Sequence, residues 1–564
     1  MADPAMPATP VHAPRFRPAR RRILPEAWTV ATILIAALVA LPVLIVASRL
    51  LVPTHGVWDH LAGTVLPRYL ANTAGLVLGV GLSVLVTGVG TAWLVTMCRF
   101  PGSRMLEWAL LLPMAMPAYV MAYTYTDLLQ FVGPVQTTLR ELFGWNRQDY
   151  WFPNIRSLGG AVAMMGLVLY PYVYLLARAT FLEQSVCVLE VGRTLGGGAW
   201  RTFFRVALPL ARPAVIGGLA LALMETLADF GTVQYFAVDT FTTGIYRTWF
   251  AMGEPVAAAQ LAAVLMLFVT AVLALERLTR GAAGYHHTTG RYRSLPSYRL
   301  RGPRAAAAFA ACALPVLCGF AVPVLILLSL SLEGGDPLFG PVFLGLAGNS
   351  FTLAGLTAVL AVLLATVVAY GLRLRPTRPL KAAARVAAMG YAIPGSVVAV
   401  GILIPFAAFD NALDAFLRDR FGVSSGLLLS GTVAALVFAY LVRFLAVSFN
   451  TVEASLARIR PSLDQAARIL GQTPGRTLAR VHAPLMKGSL MTAGLLVFVD
   501  VMKELPATMI VRPFNFDTLA IRVYTLASDE RLAEASTAAL AIVAVGIVPV
   551  ILLSRAIARA RPGA

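Results

Sequence analysis

Charged side chains are scarce in this chain of 564 residues, where they make up 13% of the sequence while hydrophobic residues make up 58%. A soluble globular domain is nearer a quarter charged and half apolar, so this composition excludes an ordinary soluble protein. The excess of apolar residues has to face lipid. We therefore expect an all-α polytopic membrane protein.

Cysteine and histidine are also scarce, with four and six copies. The cysteines form no C-x-x-C pair and no evenly spaced framework, so neither a zinc site nor a disulfide scaffold is expected. No Ser-His-Asp set, paired metal-ligand motif or H-E-x-x-H is present. The sequence therefore predicts no catalytic residues and assigns no metal site, which argues against a membrane enzyme.

The formal net charge is +19, from 46 Lys and Arg residues against 27 Asp and Glu residues. In a soluble protein this excess would suggest nucleic acid as a partner. In a polytopic membrane protein it has a simpler source, because arginines concentrate in cytoplasmic loops and termini. We expect contact with the lipid bilayer and none with nucleic acid.

Several apolar runs reach the roughly 20 residues that a helix needs to cross a bilayer. If the N-terminus is cytoplasmic, the arginine-rich loops at 98–105, 277–304 and 458–480 all fall on the cytoplasmic side, as does the C-terminus. Twelve candidate spans lie near 28–52, 69–97, 106–131, 159–182, 211–234, 256–276, 305–331, 350–373, 383–409, 426–449, 486–511 and 533–555.

The sequence also repeats itself. The stretch RTLGGGAWRTFFRVALPL in the first half corresponds to RILGQTPGRTLARVHAPL in the second, and Asn72 and Pro117 correspond to Asn349 and Pro394 at a shift of 277 residues. Two six-span halves with the same cytoplasmic face are parallel repeats, and they place a pathway between them. The predicted organisation is a cytoplasmic tail at 1–27, a first transmembrane half at 28–278, a cytoplasmic linker at 279–304, a second transmembrane half at 305–556 and a cytoplasmic tail at 557–564.

Each copy of this repeated stretch is polar, basic and rich in glycine. A Walker A loop requires G-x-x-x-x-G-K-[ST], but the first copy has no lysine and the second, GQTPGRT, has arginine and a different spacing. We therefore expect a short helix that ends at Gly196 or Gly471, followed by Pro209 or Pro484 in the first turn of the next span. Such a helix would lie across the cytoplasmic ends of the spans.

Both copies resemble the EAA motif of ABC-importer permeases, E-A-A-x-x-x-G-x(9)-I-x-L-P. In that family the segment is the coupling helix, which docks in a groove of the ATPase subunit. Gln465, with Asp464 beside it, replaces the glutamate of the second copy, and Val-Gly replaces Ala-Ala in the first, so asymmetric docking is expected. The resemblance implies ATPase coupling by Glu190, Val191, Gly192, Arg193, Gly196, Trp200, Pro209, Gln465, Ala466, Ala467, Arg468, Gly471 and Pro484.

Further segments, ETLADFGTVQYF, FTTGIYRTW and KELPATMIVRPFNFDTLAIRVYTLASDER, are similar to the fused twelve-span permeases of bacterial ferric-iron importers. The resemblance implies the type I ABC-importer fold in the bacterial inner membrane, with two copies of an ATPase and a periplasmic ferric-iron binding protein. It places ATP-Mg on the ATPase and no cofactor on this chain. Permeases for thiamine, polyamines or phosphonate share much of the fold and remain alternatives. An ion-coupled secondary transporter is an alternative of another class, although it would not need the paired cytoplasmic loops.

Five charged residues fall inside predicted spans, and they are candidates for the translocation path or its gate: Glu225, Asp229, Asp500, Lys503 and Glu504. Glu225 and Asp229 are four residues apart, and so are Asp500 and Glu504, which predicts that the two acids of each pair share one helix face. Carboxylates at this depth usually face an interior or a wet cavity. Two interpretations stay open, because these acids either line a cation route or are neutralised internally, by Lys503 or by an arginine such as Arg443. Tyrosines near 119–125 and 170–174 are expected to pack, with ferric ligation as the lesser alternative.

Overall fold

The computed structural model describes residues 27–53, 56–183, 199–280, 298–337 and 339–559, and most of them are helical. Within that part of the chain, ten helices are long and apolar enough to cross a membrane. Two bent helix pairs raise this number to twelve if each pair is one span. The prediction of an all-α membrane protein with about twelve spans is confirmed.

The first half is built from helices of very different lengths, joined at several points by short 3-10 or π segments. Its α-helices are Ala27–Ser48, Val57–Thr64, Leu66–Met97, Ser103–Ala109, Ala118–Leu129, Pro134–Phe143, Leu158–Glu183, Ala199–Thr202, Leu208–Ala228, Gly231–Tyr235, Phe241–Tyr246 and Pro255–Arg280.

The second half has a matching order of elements. Its α-helices are Pro303–Val316, Val322–Glu333, Pro341–Leu374, Arg378–Ala387, Gly395–Phe421, Val433–Ala457, Pro461–Ile469, Pro474–Thr477, Ala483–Leu485, Lys487–Met502, Pro506–Val511, Leu519–Ser528 and Leu532–Arg559. One parallel strand pair joins Cys98–Arg99 at the end of a span to Tyr298–Arg299, which precedes the second half.

Equivalent contacts in the two halves show the repeat in three dimensions. The Asn72 side-chain amide donates to the carbonyl of Asp239 over 2.9 Å, and the Asn349 amide donates to the carbonyl of Asp517 over 3.1 Å. Thr240 and Thr518 then occupy the N-cap positions of the helices that follow these aspartates. The predicted internal repeat is thus built into the packing as well as the sequence.

The first span of each half packs against the opposite half. Helix Ala27–Ser48 lies against Pro341–Leu374, Arg378–Ala387 and Gly395–Phe421. Close approach requires glycine here, because a Cβ at Gly401 would lie 2.4 Å from the carbonyl oxygen of Pro42. In the reverse direction, the π segment that follows Pro303–Val316 packs on Leu158–Glu183. We call this arrangement, in which the first span of each half packs on the other half, the exchange of first spans. It holds the two halves together.

Four of the predicted spans are not continuous helices, and the one predicted at 383–409 is interrupted between Ala387 and Gly395. The span predicted at 106–131 breaks around Pro113 and Pro117, and its two parts differ in direction by 93°. Proline cannot donate the backbone hydrogen bond that a continuous helix requires, which explains this break. The spans predicted at 211–234 and 486–511 instead end at Ala228 and Met502, and each is followed by a short second helix.

The two prolines of the repeated motif lie where the sequence predicts, in the first turn of an α-helical segment. The prediction that they open the span is wrong, however, because a π-helical segment precedes each of them, Phe203–Ala207 and Leu478–His482. The wider π turn accommodates a residue that has no N–H and a bulky ring. In the second half the chain also bends by 81° at Met486, after the short helix Ala483–Leu485 that follows this segment.

Candidate functional site

All five charged residues predicted inside spans meet at one place between the halves. They line a small cavity of about 100 Å³, and Arg443 lines it with them. Among the described residues, four carboxylates and two cationic side chains face this space, which we call the acidic chamber. No group of three or more His, Cys, Asp or Glu residues in the described part of the chain is arranged to hold a metal ion.

Asp229 is not on the same helix as Glu225, so the predicted shared face is wrong for this pair. The helix ends at Ala228 and Asp229 is extended, with ψ of 137°. Its carboxylate accepts hydrogen bonds from the backbone N–H groups of Thr232 and Val233, over 3.1 and 3.2 Å, at the start of the next short helix. Its role in the fold is therefore that of a cap, since it satisfies amides that have no helical partner.

Glu504 repeats this arrangement in the second half and departs from the predicted helix face for the same reason. It follows the end of helix Lys487–Met502 and accepts hydrogen bonds from the N–H groups of Ala507 and Thr508, over 2.9 and 3.1 Å. The Thr508 hydroxyl donates to it over 2.7 Å. Glu504 is almost completely buried, and these partners with Arg443 satisfy both carboxylate oxygens.

Glu225 and Asp500, the first acids of each pair, remain on helices and face the chamber. The side chain of Glu225 is 22% exposed, and its carboxylate lies 3.7 Å from the guanidinium of Arg443. The side chain of Asp500 is 17% exposed and pairs with Lys503 over 3.0 Å. Both internal pairings that the sequence leaves open are therefore present, and so is the chamber that the lining interpretation requires.

A second and larger cavity of about 760 Å³ lies on the other side of Tyr172 and Tyr391. Arg277 and Arg385 line it, as do the apolar side chains of Leu176, Leu221 and Val499. It lies toward the end of the bundle where helix Lys487–Met502 begins, because Leu496 and Val499 of that helix line this cavity, whereas Leu505, after the helix end, lines only the chamber. We call this second cavity the vestibule.

Contacts between the halves close the opposite end of the chamber. The Tyr246 hydroxyl donates to the carbonyl of Pro506, and the rings of Phe230 and Tyr524 pack with centroids 5.7 Å apart. Farther out, Arg156 of the first half lies 3.4 Å from Glu530 of the second. The two halves therefore meet on this side and diverge on the vestibule side.

The second copy of the repeated motif forms a helix at Pro461–Ile469, as predicted. Gln465, Ala466 and Arg468 are exposed while Ala467 is buried, so one face of this helix is available to a partner. The predicted helix end is also confirmed, because Gly471 has φ of +69° and donates its N–H to the carbonyl of Arg468 over 3.0 Å. This left-handed conformation costs little only at glycine.

Asp464, the residue before Gln465, fixes this helix to the spans. Its carboxylate lies 2.6 Å from a guanidinium nitrogen of Arg373 and 2.8 Å from Nε2 of His482. Arg373 also donates to the carbonyls of Leu456 and Ile459 at the end of another span. Burial alone would raise the pKa of Asp464, but the hydrogen bonds from Arg373 and His482 outweigh it and hold that pKa below its ordinary value.

Most of the first copy, Glu190, Val191, Gly192, Arg193 and Gly196, lies outside the described residues. The described part resumes at Ala199, and Trp200 follows it. Trp200 is 73% exposed and stacks on Phe204 with ring centroids 6.1 Å apart. The corresponding positions of the second copy are Gly475 and Ala479, so this exposed aromatic pair belongs to the first half alone.

Sequence reasoning missed Arg373 and Tyr391 as site residues. It named Arg443 only as one example and Tyr172 only among the tyrosines that were expected to pack. An arginine within an apolar span can be recognised from the sequence alone, and it indicates that a partner is needed inside the membrane. The sequence does not identify that partner, because Arg443 and Glu225 are 218 positions apart and lie in different halves.

A scan of family models matches residues 85–282 to the description "Binding-protein-dependent transport system inner membrane component". The Fe(3+)-transport system permease protein FbpB 2 of Haemophilus influenzae is 27% identical over 493 residues, which is 86% of this chain and 89% of that protein. The putative ferric transport system permease protein FbpB 1 of the same organism is 24% identical over 73% of this chain and 65% of its own length. The molybdenum transport system permease protein ModB of Escherichia coli is 33% identical, but over only 26% of this chain and 62% of its own length.

Proposed function

Because this chain is an ABC-importer permease, a membrane component of a binding-protein-dependent transport system related to the ferric transport permeases, we propose that its cargo is ferric iron. Ferric iron would arrive from a periplasmic binding protein and leave on the cytoplasmic side. The chain itself is a transport subunit and not an enzyme, and ATP hydrolysis takes place on a separate ATPase subunit.

The observation that supports a cation as cargo is the charge of the acidic chamber. Glu225, Asp229, Asp500 and Glu504 face it against only Arg443 and Lys503, so acidic side chains outnumber basic ones by two among the described residues. A multivalent anion such as molybdate or sulfate would be repelled by this excess, whereas a hard cation is attracted to carboxylate oxygens. Both carboxylate oxygens of Asp229 and of Glu504 already accept hydrogen bonds from backbone amides, threonine hydroxyls or Arg443, so Glu225 and Asp500 are the acids that meet the cargo.

The described residues contain no group of three metal ligands, which is more typical of a site through which an ion passes than of a site that retains it. A transport site has to bind its ion strongly enough to accept it and weakly enough to release it. Two carboxylates that already have cationic partners meet both conditions. The binding protein would then carry most of the selectivity.

The assembly proposed around this chain follows the predicted organisation. Two ATPase copies would dock on the coupling segments, one at Gln465, Ala466, Ala467, Arg468 and Gly471 and the other at the first copy of the motif with Trp200. ATP-Mg would bind only to the ATPase. The boundaries 28–278 and 305–556 would delimit the two transmembrane halves, and the arginine-rich termini and the linker at 279–304 would lie in the cytoplasm of a bacterial cell.

The test is transport in proteoliposomes that contain this chain together with its ATPase and its periplasmic binding protein. We expect ATP-dependent uptake of radioactive ferric iron, and no uptake of molybdate, sulfate, thiamine, polyamines or phosphonate presented in the same way. Glu225→Gln combined with Asp500→Asn should slow iron uptake by about tenfold or more, which corresponds to about 1.4 kcal/mol in the barrier. Uptake of another compound in place of iron would overturn the cargo assignment.

The same vesicles test the alternative mechanism. Uptake that persists without ATP while a proton gradient is held would identify an ion-coupled secondary transporter. Uptake that requires ATP and does not respond to the gradient supports the importer.

A further inference from the structure

Five residues line both the acidic chamber and the vestibule, and they form a layer between the two cavities: Met114, Tyr172, Tyr391, Asp500 and Lys503. Two polar contacts lie within this layer. The hydroxyls of Tyr172 and Tyr391 are 3.3 Å apart, and Lys503 Nζ lies 3.0 Å from Asp500 Oδ1.

The layer is crossed by the internal pseudo-twofold axis. Met114 and Tyr391 each stand three residues before the equivalent prolines Pro117 and Pro394, so they occupy the same position in the two halves. Both line both cavities. Equivalent residues can share one cavity wall in this way only close to the axis that relates them, which places the layer in the path between the halves.

The two polar contacts of the layer are asymmetric, and one of them joins the two halves. Tyr172 belongs to the first half and Tyr391 to the second, so their hydrogen bond has to break when the halves separate. Lys503 has no equivalent cation, since the matching residue of the first half is Ala228. It lies directly after the end of helix Lys487–Met502, where a small change of backbone angles moves the ammonium by several ångströms.

We infer that Tyr172, Tyr391 and the Lys503–Asp500 pair form the inner gate of the translocation pathway, with Lys503 as the counter-cation that occupies Asp500 while the gate is closed. Opening separates the two tyrosine hydroxyls and moves Lys503 away from Asp500. The carboxylate then becomes free to interact with a cation that leaves the chamber. The inference rests on the proposed transport function but not on the identity of the cargo.

Accessibility of single cysteines to Ag⁺ tests this gate without any cargo. In a chain whose four native cysteines are replaced by serine, Ala228→Cys or Val168→Cys reports on the chamber and Ala388→Cys reports on the vestibule. Inverted membrane vesicles without nucleotide are exposed to Ag⁺ from the cytoplasmic face. Thiols that remain are then counted with a fluorescent maleimide after denaturation.

With the gate intact, both chamber cysteines should react about tenfold or more slowly than the vestibule cysteine, because Ag⁺ reaches them only when the layer opens. Tyr172→Phe with Tyr391→Phe removes only the hydroxyls. It should raise the chamber rate about 2- to 10-fold, the shift that one net hydrogen bond supports. Lys503→Met should raise it as well, while the rate at Ala388→Cys stays the same in every variant.

Tyr119→Phe is the matched control. Tyr119 lines the chamber but not the vestibule, and its buried hydroxyl has no hydrogen-bond partner among the described residues. The chamber rate should not change in this variant. Equal rates at the chamber and vestibule cysteines in the unaltered gate would overturn the inference, and so would a double phenylalanine variant that behaves like Tyr119→Phe. Failure to transport iron would leave these rates unchanged, so the two proposals fail separately.

Discussion

The guanidinium of Arg443, in the second half, lies 3.7 Å from the carboxylate of Glu225 in the first half. A second nitrogen of the same group lies 3.0 Å from Glu504. Arg443 is buried, so one cation neutralises a chamber acid and a capping acid that belong to different halves. Its removal would leave two carboxylates inside the membrane without a cationic partner.

We therefore expect Arg443→Met to be strongly destabilising, by about 3–5 kcal/mol, the range for breaking a buried ion pair. Thermal unfolding of the purified protein in detergent measures this effect. Arg68→Met is the control, because Arg68 makes an exposed pair with Asp239 and exposed pairs contribute about 1 kcal/mol at most. Adding Glu225→Gln to Arg443→Met should recover part of the lost stability, since one unpaired charge is then removed. Equal unfolding temperatures for Arg443→Met and Arg68→Met would contradict this account.

A second prediction concerns the exchange of first spans. Gly401→Ala places a methyl group 2.4 Å from the carbonyl oxygen of Pro42 and should push the first span away from the second half. Overpacking of this kind costs about 1–3 kcal/mol. Gly355→Ala is the matched control in a neighbouring span, because nothing lies within 4 Å of its added methyl and alanine favours the helix by about 0.5–1 kcal/mol. Thermal stability should fall in the first variant and hold or rise in the second.

Sequence patterns predict the parts of this fold that depend on composition and local chemistry. Hydropathy locates the spans, and the residues Asn72, Asn349, Pro117 and Pro394 locate the repeat, because each sits in the same local structure in both halves. The end of helix Pro461–Ile469 at Gly471 is predictable for the same reason, since the left-handed conformation is a property of one residue.

The rest depends on contacts that local patterns do not contain. Hydropathy treats residues 211–234 as one span, but the carboxylate of Asp229 binds amides of the next segment and ends the helix. The exchange of first spans and the partners of Arg443 join residues hundreds of positions apart. In each case the sequence predicts that a partner or a contact is needed and leaves its identity open.

A third prediction addresses coupling to the ATPase. Arg373→Met removes the group that ties Asp464 to the ends of two spans, so helix Pro461–Ile469 should no longer transmit movement to the membrane. ATP hydrolysis by the assembled complex should continue while transport per ATP falls. Arg468→Met, on the exposed face of the same helix, should instead weaken ATPase binding. Parallel loss of hydrolysis and transport in Arg373→Met would assign Arg373 to docking and not to transmission.

The interaction of Asp464 with Arg373 and His482 depends on pH through the carboxyl group of Asp464. Its folded-state pKa is lowered, so the carboxylate contributes its full stabilisation above the ordinary aspartate pKa of about 3.9 and loses it only as the pH falls through the lowered pKa. Titration of Asp464 should therefore leave the stability of the wild type unchanged between about pH 5 and 8. Asp464→Asn should remove an acid-induced loss of stability that begins below about pH 4. This prediction is tested by measuring the unfolding temperatures of the wild type and of Asp464→Asn from below about pH 4 to about pH 8.

Substitutions of Asp229 and Glu225, the two acids of the first half, should have different effects on stability and transport, although these residues are only four positions apart. Asp229→Ala removes a cap, which costs about 0.5–2 kcal/mol, so it should lower the unfolding temperature. The transport rate per folded molecule should fall less than the amount of folded protein. Glu225→Gln leaves every backbone hydrogen bond in place, and Arg443 keeps Glu504 as its closer carboxylate partner. The unfolding temperature should therefore stay close to that of the wild type while transport slows. The measurement is uptake normalised to the monodisperse protein, taken together with thermal unfolding. If Asp229→Ala stops transport in a fully stable protein, Asp229 meets the cargo itself and the division between capping and chamber acids is wrong.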